Sequence, residues 1–288
     1  MQARRIIPVL LHKNGHLVLS RRFSLHQAIG DPFAIADRYK AWDLDELIYL
    51  DITPHWSDYG REAIFDRFVE TIRRASRNCF IPLTAGGGIR SVGDINRLIH
   101  AGADRIVLNS AALENPDLIT QAAHVFGAQA VIVGIDARGG NVFSHGGKTP
   151  TGRTVSEWTA EAERRGAGEI FIQSIDRDGT ATGFDEALIK TVLKAVQIPV
   201  IACGGAGNAK DLERPLTLGA QAVAAANIFA FTELSYLHAK NAVSDAAIRP
   251  PVIGMDYVAA RKQRESGSRL KAEQMPLWQA LGRGGLME

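Results

Sequence analysis

Cysteine is nearly absent from this chain: only Cys79 and Cys203 occur, far apart and without CxxC spacing. That count excludes a disulfide framework and a thiolate zinc site. Also missing is any run of about 18 apolar residues, the length an ordinary membrane-spanning helix requires. Arg4 and Arg5 precede an apolar run at 6–11, but the run contains Pro8 and is too short for a secretion signal. The reading is a first strand, in a protein of the reducing cytoplasm. Nor does one charge dominate, since 33 Lys plus Arg face 31 Asp plus Glu for a net +2. The dense basic footprint of a nucleic-acid binder is therefore absent, and any anion site must be local. No motif calls for a metal or an organic cofactor.

What is present is regular. Among 288 residues, 46% hydrophobic and 22% charged, eight short apolar runs recur: RIIPVLL, DELIYLDI, IPLTAG, DRIVLNS, QAVIVGID, EIFIQSID, IPVIACGG and QAVAAAN. Runs apolar throughout, without alternating polar residues, suit strands buried on both faces, as in a parallel sheet covered by helices. Amphipathic stretches at 31–42, 60–76, 91–101, 115–126, 155–166, 184–196, 207–218 and 228–242 are expected as helices. Strand then helix, eight times, predicts a single α/β domain, a (β/α)8 barrel over residues 1–247. Beyond Ile248 the rhythm stops at Arg249-Pro250-Pro251, so 248–288 is expected to be a partly flexible C-terminal extension.

The barrel reads as two similar halves. IPLTAGGGI from Ile81 and IPVIACGGA from Ile198 align without a gap, pairing Gly87 with Gly204, Gly88 with Gly205, Gly102 with Gly219 and Ser110 with Asn227. Two segments break the rhythm: 12–30, expected as a long loop after the first strand, and the glycine-rich 139–151, an excursion of hairpin character after the fifth. Loops that follow strands lie on the active face of such a barrel.

Glycines at strand ends leave backbone amides free to meet an anion, above all where a helix begins. Gly86, Gly87 and Gly88 with Asn109 and Ser110 make one such place; Gly204, Gly205 and Gly207 with Asn227 make the other. Two across one mouth imply a substrate with two phosphates, or one phosphate and another anionic group. For a single cluster, tight turning alone would explain the glycines equally well. Ser174 lies at a strand end, and strand-end carboxylates are expected to face the substrate: Asp51, Asp136, and Asp176 with Asp178 in SIDRDGT. Asp136 ends a wholly apolar run, where a charge is costly unless used, and is the leading general acid or base.

The strings RIIP, GDP, DELIYLDIT, GGGI, ENPDLI, GAGEI, SIDRDGT and GGAG, in that order over residues 3–240, resemble the cyclase subunit family of imidazole glycerol phosphate synthase. The resemblance implies a (β/α)8 barrel that joins ammonia from a glutaminase partner to a bisphosphorylated ribulosyl-aminoimidazole substrate. It implies phosphate contacts by the glycine clusters and an acid–base role for Asp136. At the strand starts it implies an ammonia gate at the positions of Arg5, Glu46, Arg105 and Glu169, with Arg105 in place of the family's lysine. Asp104 matches a residue that docks the glutaminase on this amino-terminal face. An ion-pair ring of purely structural value is the alternative.

The departures are specific. Leu11 stands where the family has a second catalytic aspartate, Leu19 where it has a loop lysine, and Cys203 where it has a phosphate-binding serine. His12 is the neighbour that would have to replace the lost acid, but adjacent strand residues point oppositely. The expectation is therefore an ammonia-using, glutaminase-coupled synthase subunit whose substrate differs from the histidine-pathway intermediate. By resemblance this is a nucleotide-linked or phosphorylated sugar in amidino- or amino-sugar formation for surface polysaccharides. An authentic cyclase tolerating Leu11, and a non-catalytic phosphosugar-binding subunit, are the alternatives.

Overall fold

The computed structural model describes residues 4–32, 44–54, 60–77, 81–230, 235–243 and 248–249. In chain order the strands are β1 (Arg5–Lys13), β2 (His16–Arg21), β3 (Leu25–Gly30), β4 (Leu47–Asp51), β5 (Leu83–Gly86), β6 (Arg105–Leu108), β7 (Val131–Arg138), β8 (Asn141–Ser144), β9 (Thr149–Thr154), β10 (Glu169–Ser174), β11 (Val200–Cys203) and β12 (Ala222–Ala225). The eight apolar runs supply β1, β4, β5, β6, β7, β10, β11 and β12. These pair in parallel in that order and close through β12 to β1. The result is a closed (β/α)8 barrel.

Outside the strands lie α1 (Arg61–Ser76), α2 (Val92–His100), α3 (Ser110–Glu114), α4 (Asp117–Phe126), α5 (Val155–Arg164), α6 (Glu186–Ala195), α7 (Glu213–Leu218), α8 (Asn227–Ala230) and α9 (Ser235–Ala242). Their starts are written in the sequence. Thr154 caps α5 by accepting from the Glu157 amide while Glu157 reaches back, and Ser91 caps α2, each satisfying amides the helix cannot. The helix expected over 31–42 lies outside the described residues beyond Pro32. Of that expected over 228–242, α8 and α9 are seen, and 231–234 lie outside the described residues. The expected extension is likewise outside, except Ile248, which bridges Arg4, and Arg249, which donates to Asp45 at 3.2 Å.

Two apolar layers follow from the strand alternation. Ile7, Val9, Leu11, Ile48, Val107, Ile132, Phe171, Ile201, Ala222 and Ala224 fill the bore; the larger layer joins strands to helices. The duplication inferred from sequence recurs in the hydrogen bonds. Leu83 N donates to Asp104 at 2.8 Å and Val200 N to Gln221 at 2.9 Å. Arg90 N donates to Asp94 and Gly207 N to Asp211, both at 2.8 Å. Each pair occupies matching places in the two halves.

The segment 12–30 is not a loop. β1 runs on past the barrel, turns at Asn14 and Gly15, both of positive φ, and continues as β2 and β3 in an antiparallel sheet. Asn-Gly suits the tight turn that matches strand twist. The alternation was hidden because Leu17, Val18 and Leu19 are all buried, on both faces of the ribbon. At 139–151 the excursion is the hairpin of β8 and β9.

Candidate active site

At the base of the barrel, Arg5 pairs with Glu46 at 2.6 Å and with Glu169. Arg105 pairs with Glu169 at 2.7 Å and with Glu46 at 3.7 Å. Four side chains from β1, β6 and β10 and from just before β4 thus close a ring, and Thr84 adds a hydrogen bond to Glu46 at 2.8 Å. Burial pushes the Glu169 carboxyl upward and the arginines pull against it. The ring is held from outside. Tyr236 on α9 accepts from Asp45 N at 2.8 Å and donates to Ile6 O at 2.9 Å, while the buried Lys240 ammonium pairs with Asp45 at 2.7 Å. Ile6 and Asp45 adjoin Arg5 and Glu46, so α9 fixes both. Asp104 lies exposed beside the ring, one carboxylate oxygen accepting from Leu83 N.

At the other end of the bore, Asp136 points inward from β7. Burial raises its carboxyl from the ordinary 3.8 to about 7; the Asn109 amide, donating at 2.9 Å, opposes this and the charge of Asp178 adds to it. A carboxyl poised near neutral pH is suited to take up and release a proton. The Oδ1 of Asn109 is buried without a partner among the described residues, an acceptor turned to a site that holds no protein donor. Asp178, also raised by burial, accepts from Ser20 Oγ at 2.7 Å and from Phe23 N at 3.2 Å. Cys203 borders both carboxyls; burial, reinforced by Asp178 and Asp136, pushes its thiol above the ordinary range, so it stays an unreactive thiol.

Gly87 and Gly204, φ 102° and 95°, and Gly88 and Gly205, φ 67° and 113°, occupy equivalent positions in the two halves. A methyl on Gly87 would strike the Asp51 carbonyl, one on Gly205 the Gly183 carbonyl, and one on Gly204 would lie 2.9 Å from the Ser174 carbonyl. Glycine is required at both turns. The paired residues Ser110 and Asn227 each hold a hairpin. Ser110 Oγ accepts from His145 N at 2.9 Å, on the β8–β9 turn, and Asn227 donates to Ser20 O at 3.2 Å, on β2.

Several expected positions fall elsewhere. Asp51 does not face the mouth: its side chain is fully buried, accepts from Thr53 N at 2.7 Å and lies 3.1 Å from His12 Nδ1. His12 and Asp51 are register partners, and His12 packs on Phe68 of α1, so both point out of the bore. Asp176 is exposed on the rim, 3.3 Å from Arg138, because the turn after β10 sends Asp178 inward instead. Ser174 is buried, its carbonyl accepting from Asp178 N at 3.0 Å. Leu11 does lie in the bore, beside Val18, whereas Leu19 belongs to the opposite face of the ribbon, by alternation from Val18. The sequence reading overlooked Ser20, Lys13 and His26. Their signal was the every-second-residue spacing along β1, β2 and β3.

A family model described as "Histidine biosynthesis protein" matches residues 5–235. Curated relatives include "Imidazole glycerol phosphate synthase subunit HisF" of two strains of Caulobacter vibrioides, each 46% identical over 251 residues, covering 85% of this chain and 94% of theirs. With a closed barrel, a charged ring at one end and a poised carboxyl at the other, matched along all of its strands, the chain belongs to the histidine-biosynthesis protein family and is a relative of imidazole glycerol phosphate synthase subunit HisF.

Proposed function

We propose that the chain is the synthase subunit of a glutaminase-coupled complex, using ammonia on a doubly phosphorylated substrate that differs from the histidine-pathway intermediate. One arrangement carries this: the ring of Arg5, Glu46, Arg105 and Glu169 closes the base of the same bore whose far end holds Asp136. Between them the lining is apolar, compatible with neutral ammonia and hostile to ammonium. The glutaminase docks over the ring and Asp104, and movement of the ring side chains admits ammonia. Gly87 and Gly88 with Ser110, and Gly204 and Gly205 with Asn227, receive the two anionic groups through backbone amides. Asp136 is the proton carrier. The difference in substrate rests on Leu11, which puts a hydrocarbon where a second acid would touch the family's substrate. Support for a surface-polysaccharide precursor does not come from the relatives, whose names point to imidazole glycerol phosphate synthase.

The second reading, an authentic cyclase, is favoured by the 46% identity across 94% of the relatives' length. Turnover of the bisphosphorylated imidazole precursor with an ammonium salt separates the two. Without an acid at the end of β1, where the family's substrate would meet it, a rate falls by about 10² to 10⁴, so the first reading expects turnover far below the roughly 1 s⁻¹ of an ordinary enzyme. A rate at or above that figure establishes the authentic cyclase.

A further inference from the structure

With Leu11 apolar and His12 turned outward onto Asp51, the end of β1 offers no proton donor, yet the ribbon that continues from it does. Ser20 and His26 are direct partners across β2 and β3, and Leu11 and Val18, and Lys13 and His16, are partners across β1 and β2. Side chains directly opposite share a face, and residues two apart along a strand share it too. One face of the ribbon therefore carries Leu11, Lys13, Val18, Ser20 and His26. That face is turned to the mouth, because Leu11 and Val18 sit in the bore cluster and the Ser20 hydroxyl is seated on Asp178 at 2.7 Å. Lys13 Nζ lies 3.0 Å from His26 Nδ1. An ammonium has only donors, so Nδ1 accepts and the ring proton sits on Nε2.

We propose that His26, fed by Lys13, is the second proton carrier of this site, acting from the hairpin side while Asp136 acts from the end of β7. As Nε2 gives its proton to the substrate, Nδ1 takes one from the Lys13 ammonium. The imidazole stays neutral throughout; it is left in the Nδ1–H tautomer, and as Nε2 takes a proton from water Nδ1 returns its own to the Lys13 amine, which restores the starting state. The charge of Asp178 is felt by both carriers, Asp136 and His26. The charged groups facing His26 are Lys13, Asp178 and Lys148. Burial first, then Lys13, holds the ring below its ordinary protonation range, with Asp178 and a hydrogen bond to the Ser24 carbonyl opposing and Lys148 adding. A ring that is neutral at physiological pH is what such a relay needs.

The inference rests on the proposed substrate class, and two arms test it on the full chain with the bisphosphorylated imidazole precursor and ammonium. In single turnovers at saturating precursor, His26→Gln lowers the residual rate by about 10² or more, with the precursor concentration for half-maximal rate little changed. Lys13→Arg, which keeps the charge and the hydrogen bond but does not release a proton, falls likewise. A His26→Gln rate within about threefold of the parent, or full activity in Lys13→Arg, overturns the relay. In the second arm, imidazole nitrogen resonances are followed as precursor is added. A shift at His26 together with the Gly205 amide supports the proposal, and a shift at Gly205 with His26 unmoved overturns it alone. No response at either glycine cluster defeats the proposed substrate class, and the relay falls with it.

Discussion

At the scale of single residues, Asp136 carries the largest conflict between folding and chemistry. Its carboxyl rises from 3.8 to about 7 through burial, and a raised carboxyl stabilises the fold below the ordinary carboxylate range and loses that contribution as pH climbs to 7. At about 1.4 kcal/mol per pH unit, the cost above pH 7 is on the order of 4 kcal/mol. Asp136→Asn keeps the acceptor for Asn109 and removes the charge. It should melt several degrees above the parent at pH 8 and close to it at pH 4, measured by calorimetry; equal melting points at both pH values would show that Asp136 bears no such strain. Leu11→Asp tests the neighbouring position. A new carboxylate between Val18 and Leu50 would also be raised by burial, and Leu19 and Cys203 stay unchanged. Turnover of the imidazole precursor should therefore increase over the parent yet stay below ordinary enzyme rates. No gain at all would mean that the missing proton at β1 is not what limits this chain.

Among elements, the two hairpins are the parts most concerned with the mouth. The β2–β3 ribbon is fastened by Ser20 and Phe23 to Asp178 and by Asn227 to Ser20, contacts between groups 155 to 207 positions apart. Removing one hydrogen bond to a buried carboxylate costs about 1.5–3 kcal/mol, so Ser20→Ala should speed proteolysis within 21–27 while the melting point of the barrel stays nearly constant. Unchanged cleavage would show that the ribbon is held by its apolar base alone. The same elements mark what the sequence could and could not tell. Eight buried strands were legible because a parallel barrel strand is apolar on both faces, and the duplicated glycines because their positive φ tolerates little else. The ribbon was not, although Asn14-Gly15 signalled its turn, because burial of Leu17, Val18 and Leu19 erased the alternation. Asp51 and Asp136 look alike in sequence, each ending an apolar run. Only the register that sets Asp51 against His12 turns one outward and the other inward.

For the molecule as a whole, opposite ends of one bore serve different tasks under the proposed function. In the proposed complex the glutaminase docks over the base ring and Asp104, so Asp104→Lys, placing like charge where complementarity is expected, should weaken association. Asp104→Asn keeps an acceptor for Leu83 N and serves as the control. Pull-down and glutamine-driven turnover unchanged in the lysine variant would move the docking face elsewhere. The central claim, that ammonia entering at the base meets a proton carrier at the mouth, is tested most directly by product formation from the bisphosphorylated imidazole precursor and an ammonium salt, in the parent chain and in Asp136→Asn. Slow but measurable product is expected from the parent, with a further fall of about 10² to 10⁴ in the variant. Equal rates in the two chains would contradict it.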